Sequence, residues 1–92
     1  ANNGFIDLTL IISNKGILIS KPLLNLKGLP IFEKEEFFDG LEEEILRITK
    51  TFSLKNAKQN QNLIEGLKKT CRKYTKEKTG KKPITNINVV RI

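Results

Sequence analysis

The chain has 92 residues, of which 38% are hydrophobic and 29% charged, and its formal net charge at pH 7 is +7. It contains no histidine and a single cysteine, Cys71, which excludes a histidine-liganded metal site, histidine-based acid–base catalysis and an internal disulfide. This length and composition suit one globular domain, residues 1–92, with a thin and mostly aliphatic core.

The N-terminal residues predict a β-hairpin. From Phe5 to Ile12 every second residue is apolar on one side, which is the period-two pattern of a half-buried strand. Asn14 and Gly16 favour a tight reversal, after which residues 17–20 return as a second strand. Pro22 ends that strand because proline cannot donate to a β-ladder.

A short edge strand and a first helix are predicted next. Gly28 and Pro30 bracket an extended piece, residues 29–32. A helix from about residue 35 to 52 follows, and the glutamates at its start would favourably meet the positive end of its dipole. Its predicted apolar stripe recurs at spacings of three and four residues: Phe38, Leu41, Ile45, Ile48 and Phe52.

The second half of the chain predicts another helix and a closing strand. Residues 53–62 are polar and typical of a connection followed by a helix cap. A second apolar stripe then follows: Leu63, Leu67, Cys71 and Tyr74. Gly80 ends this helix, Pro83 prevents its continuation, and residues 84–92 alternate as a strand.

These elements predict an α+β fold with the order β-β-β-α-α-β. A small sheet of three to four strands with both helices packed on one face is the simplest way to bury the apolar stripes. Four helical residues are expected in the core: Leu63, Leu67, Ile45 and Ile48. Cys71 is expected to be a small buried apolar residue, and no segment is apolar and long enough to cross a bilayer. A soluble cytoplasmic protein is therefore predicted, and the start at Ala1 without a methionine suggests a piece of a longer chain.

Charge is the main functional signal in the residues themselves. Residues 1–46 hold four basic against eight acidic side chains, a net −4, whereas residues 47–92 hold thirteen against two, a net +11. Such a division favours binding of a polyanion by one face and of a partner protein by the other, and the alternative is a solvated lysine-rich helix face. Salt-dependent contacts with RNA phosphates are predicted for eight cations: Lys68, Lys69, Arg72, Lys73, Lys76, Lys78, Lys81 and Lys82. No catalytic or metal-ligating residue is predicted, since the adjacent carboxylates at 42–44 point in different directions on a helix.

The layout of the chain resembles the C-terminal domain of ribonuclease J, a bacterial member of the metallo-β-lactamase and β-CASP ribonucleases. Gly4 precedes the first strand, and Gly28 precedes a hydrophobic residue ahead of two helices. A run of motif residues then leads into a β-branched strand: Lys78, Thr79, Lys82 and Pro83. The chain departs from the family pattern at Leu26 and Lys27, where the family has Ser and Arg, and at Arg91, where it has an acidic residue.

The resemblance implies a non-catalytic domain of an enzyme that degrades and matures RNA by 5′-to-3′ exonucleolytic and endonucleolytic cleavage. It implies catalytic domains in the same parent chain, which hold zinc through histidines and aspartates that these 92 residues lack, so that no cofactor is expected in this fragment. It further implies a role in homo-oligomerisation and full activity, with assistance in RNA binding and no membrane partner. The alternative is an autonomous basic nucleic-acid-binding module.

Overall fold

The structure, a computed structural model, describes residues 3–92, so that the expectation about Ala1 lies outside the described residues. Two strands precede two helices and a third strand closes the chain. The elements are β1 (Phe5–Ile12), β2 (Leu23–Lys27), α1 (Lys34–Thr49), α2 (Asn60–Thr79) and β3 (Ile84–Arg91), with a 3-10 turn at Ala57–Gln59 ahead of α2. The predicted α+β class, with a small sheet and two helices, is confirmed.

The sheet has the strand order β2-β1-β3, so that the first strand lies at its centre. β1 pairs antiparallel with β2 and parallel with β3, and Phe5 is opposite both Lys27 and Ile84. Parallel neighbours need a long crossover, which the two helices supply. β3 is consequently an edge strand whose partner within the described part of the chain is β1 alone.

Both helices cover one face of this sheet. The four even-numbered residues of β1, from Ile6 to Ile12, are 0% exposed, as the alternation predicted. They form one core with α1 and α2 residues spaced four apart. The buried helical residues are Phe37, Leu41, Ile45, Thr49, Leu63, Leu67, Cys71 and Thr75. Leu63, Leu67, Ile45 and the buried Cys71 are therefore confirmed as core, whereas Ile48 is only partly buried.

The stripe predicted for α1 was partly wrong. Phe37 rather than Phe38 is buried, and the helix ends at Thr49, before Phe52. One buried row with a strict spacing of four explains both differences: Phe37, Leu41, Ile45 and Thr49. The sequence pattern did not reveal this row because its last member, Thr49, is polar. Its hydroxyl is satisfied in the core by donating to the carbonyl of Ile45 at 2.7 Å.

The predicted second and third strands were misplaced. Residues 17–20 make one isolated bridge, between Ile12 and Leu18, and the regular second strand begins only at Leu23. The chain bulges around the buried Pro22 and then resumes pairing with β1, so that the proline interrupts the ladder without ending it.

Residues 29–32 form a loop and not a strand. Gly28 has φ of +69°, which turns the chain away from the sheet, and the amide of Ile31 donates to the carbonyl of Leu29 at 2.9 Å in a three-residue turn. Leu29 packs against Gly4, where an added Cβ would lie 2.5 Å from the Leu29 Cδ2 atom. Leu29 and Ile31 of this loop therefore cap the core without lengthening the sheet.

Candidate functional site

The end of α2 is built by the motif residues 78–83. Gly80 adopts φ of +78°, and its amide donates to the carbonyl four residues earlier at 2.9 Å. The Thr79 hydroxyl donates to the carbonyl four residues earlier at 2.8 Å and accepts from the Lys81 amide at 3.1 Å. Pro83 is buried at the start of β3. These positions terminate the helix and direct the chain into the closing strand.

The eight predicted RNA-contacting cations lie on α2 and in its connection to β3. Four of them recur at spacings of three and four on the exposed side of α2: Lys69, Arg72, Lys73 and Lys76. Lys68 is half-buried beside this face. Lys78 points elsewhere, with its Nζ 5.6 Å from the centre of the Tyr74 ring, and Lys81 and Lys82 are exposed in the connection to β3. The basic face of α2 is defined by the four residues that share its exposed side.

The face of the sheet opposite the helices is exposed and apolar at one end. Ile19 donates its amide to the carbonyl of Ile11 at 2.9 Å, and Ile11 is paired with Val90, so that these three side chains form a row across the sheet. Ile92 continues this side of β3, and Leu23 is opposite Thr9 in the next row. We call this end the apolar sheet face, with five exposed members: Ile17, Ile19, Leu23, Val90 and Ile92.

A polar band separates this end from Phe5 and Ile84 at the other. Asp7 Oδ1 accepts hydrogen bonds from the side-chain amides of Asn86 at 3.0 Å and Asn88 at 2.9 Å. The carboxylate therefore has partners within the sheet itself, and the band is already hydrogen-bonded without a ligand.

A small cavity lies at the start of α1, beside the end of α2. It has a volume of about 260 Å³. Phe32, which forms part of its wall, is 97% exposed. Phe37 and Tyr74 form another part of the wall, with their ring centres 5.2 Å apart, and the Tyr74 hydroxyl donates to the Phe37 carbonyl at 3.3 Å. The sequence pattern did not identify Phe32 as a site residue, because a single phenylalanine in a proline-containing loop belongs to no periodic pattern.

No cluster of His, Cys, Asp or Glu side chains able to hold a metal ion occurs within residues 3–92. Burial raises the pKa of the Cys71 thiol to about 12, so that it is protonated at neutral pH. None of the helices in the described range is both long and apolar enough to cross a membrane.

The comparison with known families agrees with this arrangement. The family model described as the ribonuclease J C-terminal domain matches residues 1–92, the whole chain. The chain belongs to the ribonuclease J C-terminal domain family. A search of the curated proteins gave no match.

Membership of the ribonuclease J C-terminal domain family implies that the parent protein is a ribonuclease, a hydrolase. The predicted resemblance is thus confirmed over its full length. Arg91, near the end of β3, hydrogen-bonds to Asn60 at the start of α2. Sequence reasoning missed this contact because the two residues are separated by most of α2 and β3.

Proposed function

We propose that this ribonuclease J C-terminal domain is a non-catalytic assembly module through which copies of the parent enzyme associate. The observation that carries the proposal is the apolar sheet face. Seven large apolar side chains are exposed among residues 3–92, and six of them, all except Phe32, lie on the side of the sheet that no helix covers. Apolar side chains grouped on one face mark an interaction surface, whereas scattered ones do not.

The free edge of β3 adjoins this face. The amides of Ile84 and Ile92 donate to carbonyls at the two ends of the β1 ladder, at 3.0 Å in each case. Since alternate residues of a parallel strand bond to the same neighbour, the backbone groups of the odd-numbered β3 residues point outward. A free edge of this length, whose only charged side chain from Ile84 to Arg91 is that of Arg91 itself, is a template for pairing with another chain.

A second copy is the occupant that fits this face. The paired positions of β1, β2 and β3 on this side carry one carboxylate, Asp7, and one cation, Lys27, so that these three strands are close to neutral here although the whole chain is strongly basic. Two such faces can approach without charge repulsion, and the interaction would be chiefly apolar.

Sedimentation velocity of the 92-residue chain over a range of concentrations tests this proposal. We expect self-association that persists in high salt, because apolar burial is weakly screened. Ile19→Lys and Val90→Lys should each weaken it, whereas Phe32→Lys, an equivalent change at an exposed apolar residue off the face, should not. A chain that stays monomeric at every concentration, or that loses association equally in all three variants, contradicts the proposal.

RNA binding by the basic face of α2 is a second candidate function. It is favoured because the one salt bridge among the described residues joins Arg47 to Glu44, which leaves the four cations of this face without an ion-pair partner there. Lys69→Glu with Lys73→Glu should leave the fold intact and weaken binding of short single-stranded RNA, and wild-type affinity should fall steeply with salt. Unchanged RNA affinity in the double variant argues against this face.

The remaining functional predictions concern the parent protein. We propose that its catalytic metallo-β-lactamase and β-CASP domains use zinc, carry out both exonucleolytic and endonucleolytic cleavage in the cytoplasm, and depend on this domain for full activity. Support comes from the family match. Activity of the full-length enzyme with Val90→Lys, compared with Phe32→Lys, tests the dependence.

A further inference from the structure

A second surface, remote from the apolar sheet face, combines an apolar cavity with negative charge. The cavity beside Phe32 also includes Ile31, Glu33 and Glu36 in its wall. It opens into a groove between α1 and α2, and Glu36, Tyr74 and Lys78 line both. The carboxylates of this groove are Glu35, Glu36, Asp39, Glu43, Glu44 and Glu77. We call the cavity and the groove together the α1–α2 groove.

Phe32 is almost fully exposed, and this exposure is the first observation that points to a binding partner. A phenylalanine that is 97% exposed contributes almost nothing to the core, and it stands at the rim of a cavity whose inner wall is formed by Phe37 and Tyr74. Aromatic side chains with this exposure are typical anchors of binding sites, because they offer a large apolar area at low entropic cost.

The charge of the groove decides the kind of partner. Of its six carboxylates only that of Glu44 is in an ion pair within the described residues, with Arg47 at 2.8 Å. Among residues 3–92, Lys78 is the single cation lining the groove. Burial raises the pKa of Tyr74, and the carboxylates of Glu36, Glu44 and Glu43 raise it further, so that their negative field converges on the wall shared by cavity and groove. Such a field repels nucleic-acid phosphates and attracts cations.

We propose that the α1–α2 groove binds a basic linear peptide segment of another protein, with an aromatic or aliphatic anchor residue in the cavity against Phe32 and lysines or arginines along the carboxylates. The anchor buries apolar surface that is exposed in the free domain. The basic residues exchange water for carboxylate partners, which sets the orientation and speeds association. Neither step needs the apolar sheet face, so that the groove can be occupied whether or not the domain self-associates.

The test is fluorescence anisotropy with a short labelled peptide that has one central tryptophan flanked by lysines. Binding to the 92-residue chain at low salt is expected, with affinity that falls as salt is added. Replacing the tryptophan by alanine, or the lysines by glutamates, should each weaken binding about tenfold or more, the size expected for loss of an anchor or of charge complementarity.

Protein variants localise the site. Phe32→Ala should weaken peptide binding about tenfold. Glu36→Gln with Asp39→Asn should weaken it and flatten its salt dependence. Matched controls are Ile84→Ala, an exposed apolar residue outside both the groove and the five residues of the apolar sheet face, and Glu42→Gln, an α1 carboxylate outside the groove; both should bind as the wild type does.

Three results would overturn the proposal. The first is no peptide binding at low salt by folded protein. The second is equal weakening by the groove variants and their controls. The third is a Phe32-dependent interaction with single-stranded RNA or with a second copy of the chain, in the absence of peptide binding, which would assign the cavity to that occupant instead.

Discussion

The side chain of Arg91, near the end of β3, makes a two-point contact with Asn60, the first residue of α2. Its Nε and Nη2 atoms donate to the Asn60 Oδ1 atom at 2.9 and 2.6 Å, and Nη1 donates to the carbonyl of Leu54. The guanidinium therefore ties the closing strand to the connection between the helices. A planar fork of donors is needed for this geometry, which a lysine cannot reproduce.

We accordingly expect Arg91→Lys to destabilise the domain by about 1–2 kcal/mol, the range for losing part of a charged hydrogen-bond set. Urea unfolding followed by circular dichroism measures the change. Arg47→Lys is the matched control, since the exposed Arg47 side chain bonds to Glu44 in the same helix. The unfolding free energy of the Arg47→Lys variant should match that of the wild type. Equal unfolding free energies of the two variants would contradict a structural role for Arg91.

Cys71 should be unreactive in the native protein. Burial raises the pKa of its thiol from 9.0 to about 12, so that almost no thiolate exists at pH 8. A thiol reagent such as a disulfide dye should react slowly with native protein and rapidly after denaturation. Rapid reaction of the folded chain would show that Cys71 is accessible.

The same burial gives stability a defined pH dependence. The folded pKa is raised, and the folded state therefore holds the proton that the unfolded thiol releases above pH 9. The contribution is fully present below pH 9 and is lost as pH rises from 9 to about 12. Cys71→Ala should remove this alkaline component of the unfolding free energy while leaving the pH dependence at lower pH unchanged.

The regular elements could be predicted from local pattern, and the surfaces could not. β1, the buried positions Leu63, Leu67 and Cys71 of α2 and the Gly80 helix end follow from periodicity and backbone preference, which are properties of neighbouring residues. The fourth residue predicted for the α2 stripe, Tyr74, is only partly buried, and Thr75 is buried instead. The course of the chain around Pro22 could not be predicted, because pairing resumes through contact with β1 rather than through any local signal.

The candidate surfaces depend on which faces meet in three dimensions. Val90 and Ile19 read as ordinary strand residues, and only the sheet order shows that both lie on the side without helices. Similarly, the eight predicted cations form a single run in the sequence, yet the helix turns Lys78 toward Tyr74 and away from Lys69. Charge in a sequence window therefore does not show which cations share a face.

Substitution of Leu67 tests which side of α2 is buried in the core. It is 0% exposed at the centre of α2, and Leu67→Ala should cost about 2–5 kcal/mol, the usual loss for a fully buried leucine. Ile64→Ala, at a partly buried position three residues earlier, should cost less. Denaturant titration of both variants measures the difference, and a near-neutral Leu67→Ala would place α2 in another orientation.

Gly40 in α1 contacts Tyr74 of α2, and this contact, rather than helix propensity, decides the effect of replacing the glycine. Gly to Ala at an exposed helical site stabilises by roughly 1 kcal/mol, but a Cβ on Gly40 would lie 2.1 Å from the Tyr74 hydroxyl oxygen and 3.0 Å from Cζ. The ring would have to move, with loss of its hydrogen bond to the Phe37 carbonyl. We therefore expect Gly40→Ala to destabilise the wild type and to be neutral or stabilising in a Tyr74→Leu background. The coupling in a double-mutant cycle should be ~0.5–3 kcal/mol, as for residues in direct contact. Additive effects of the two substitutions on the unfolding free energy would show that the helices do not meet at this point.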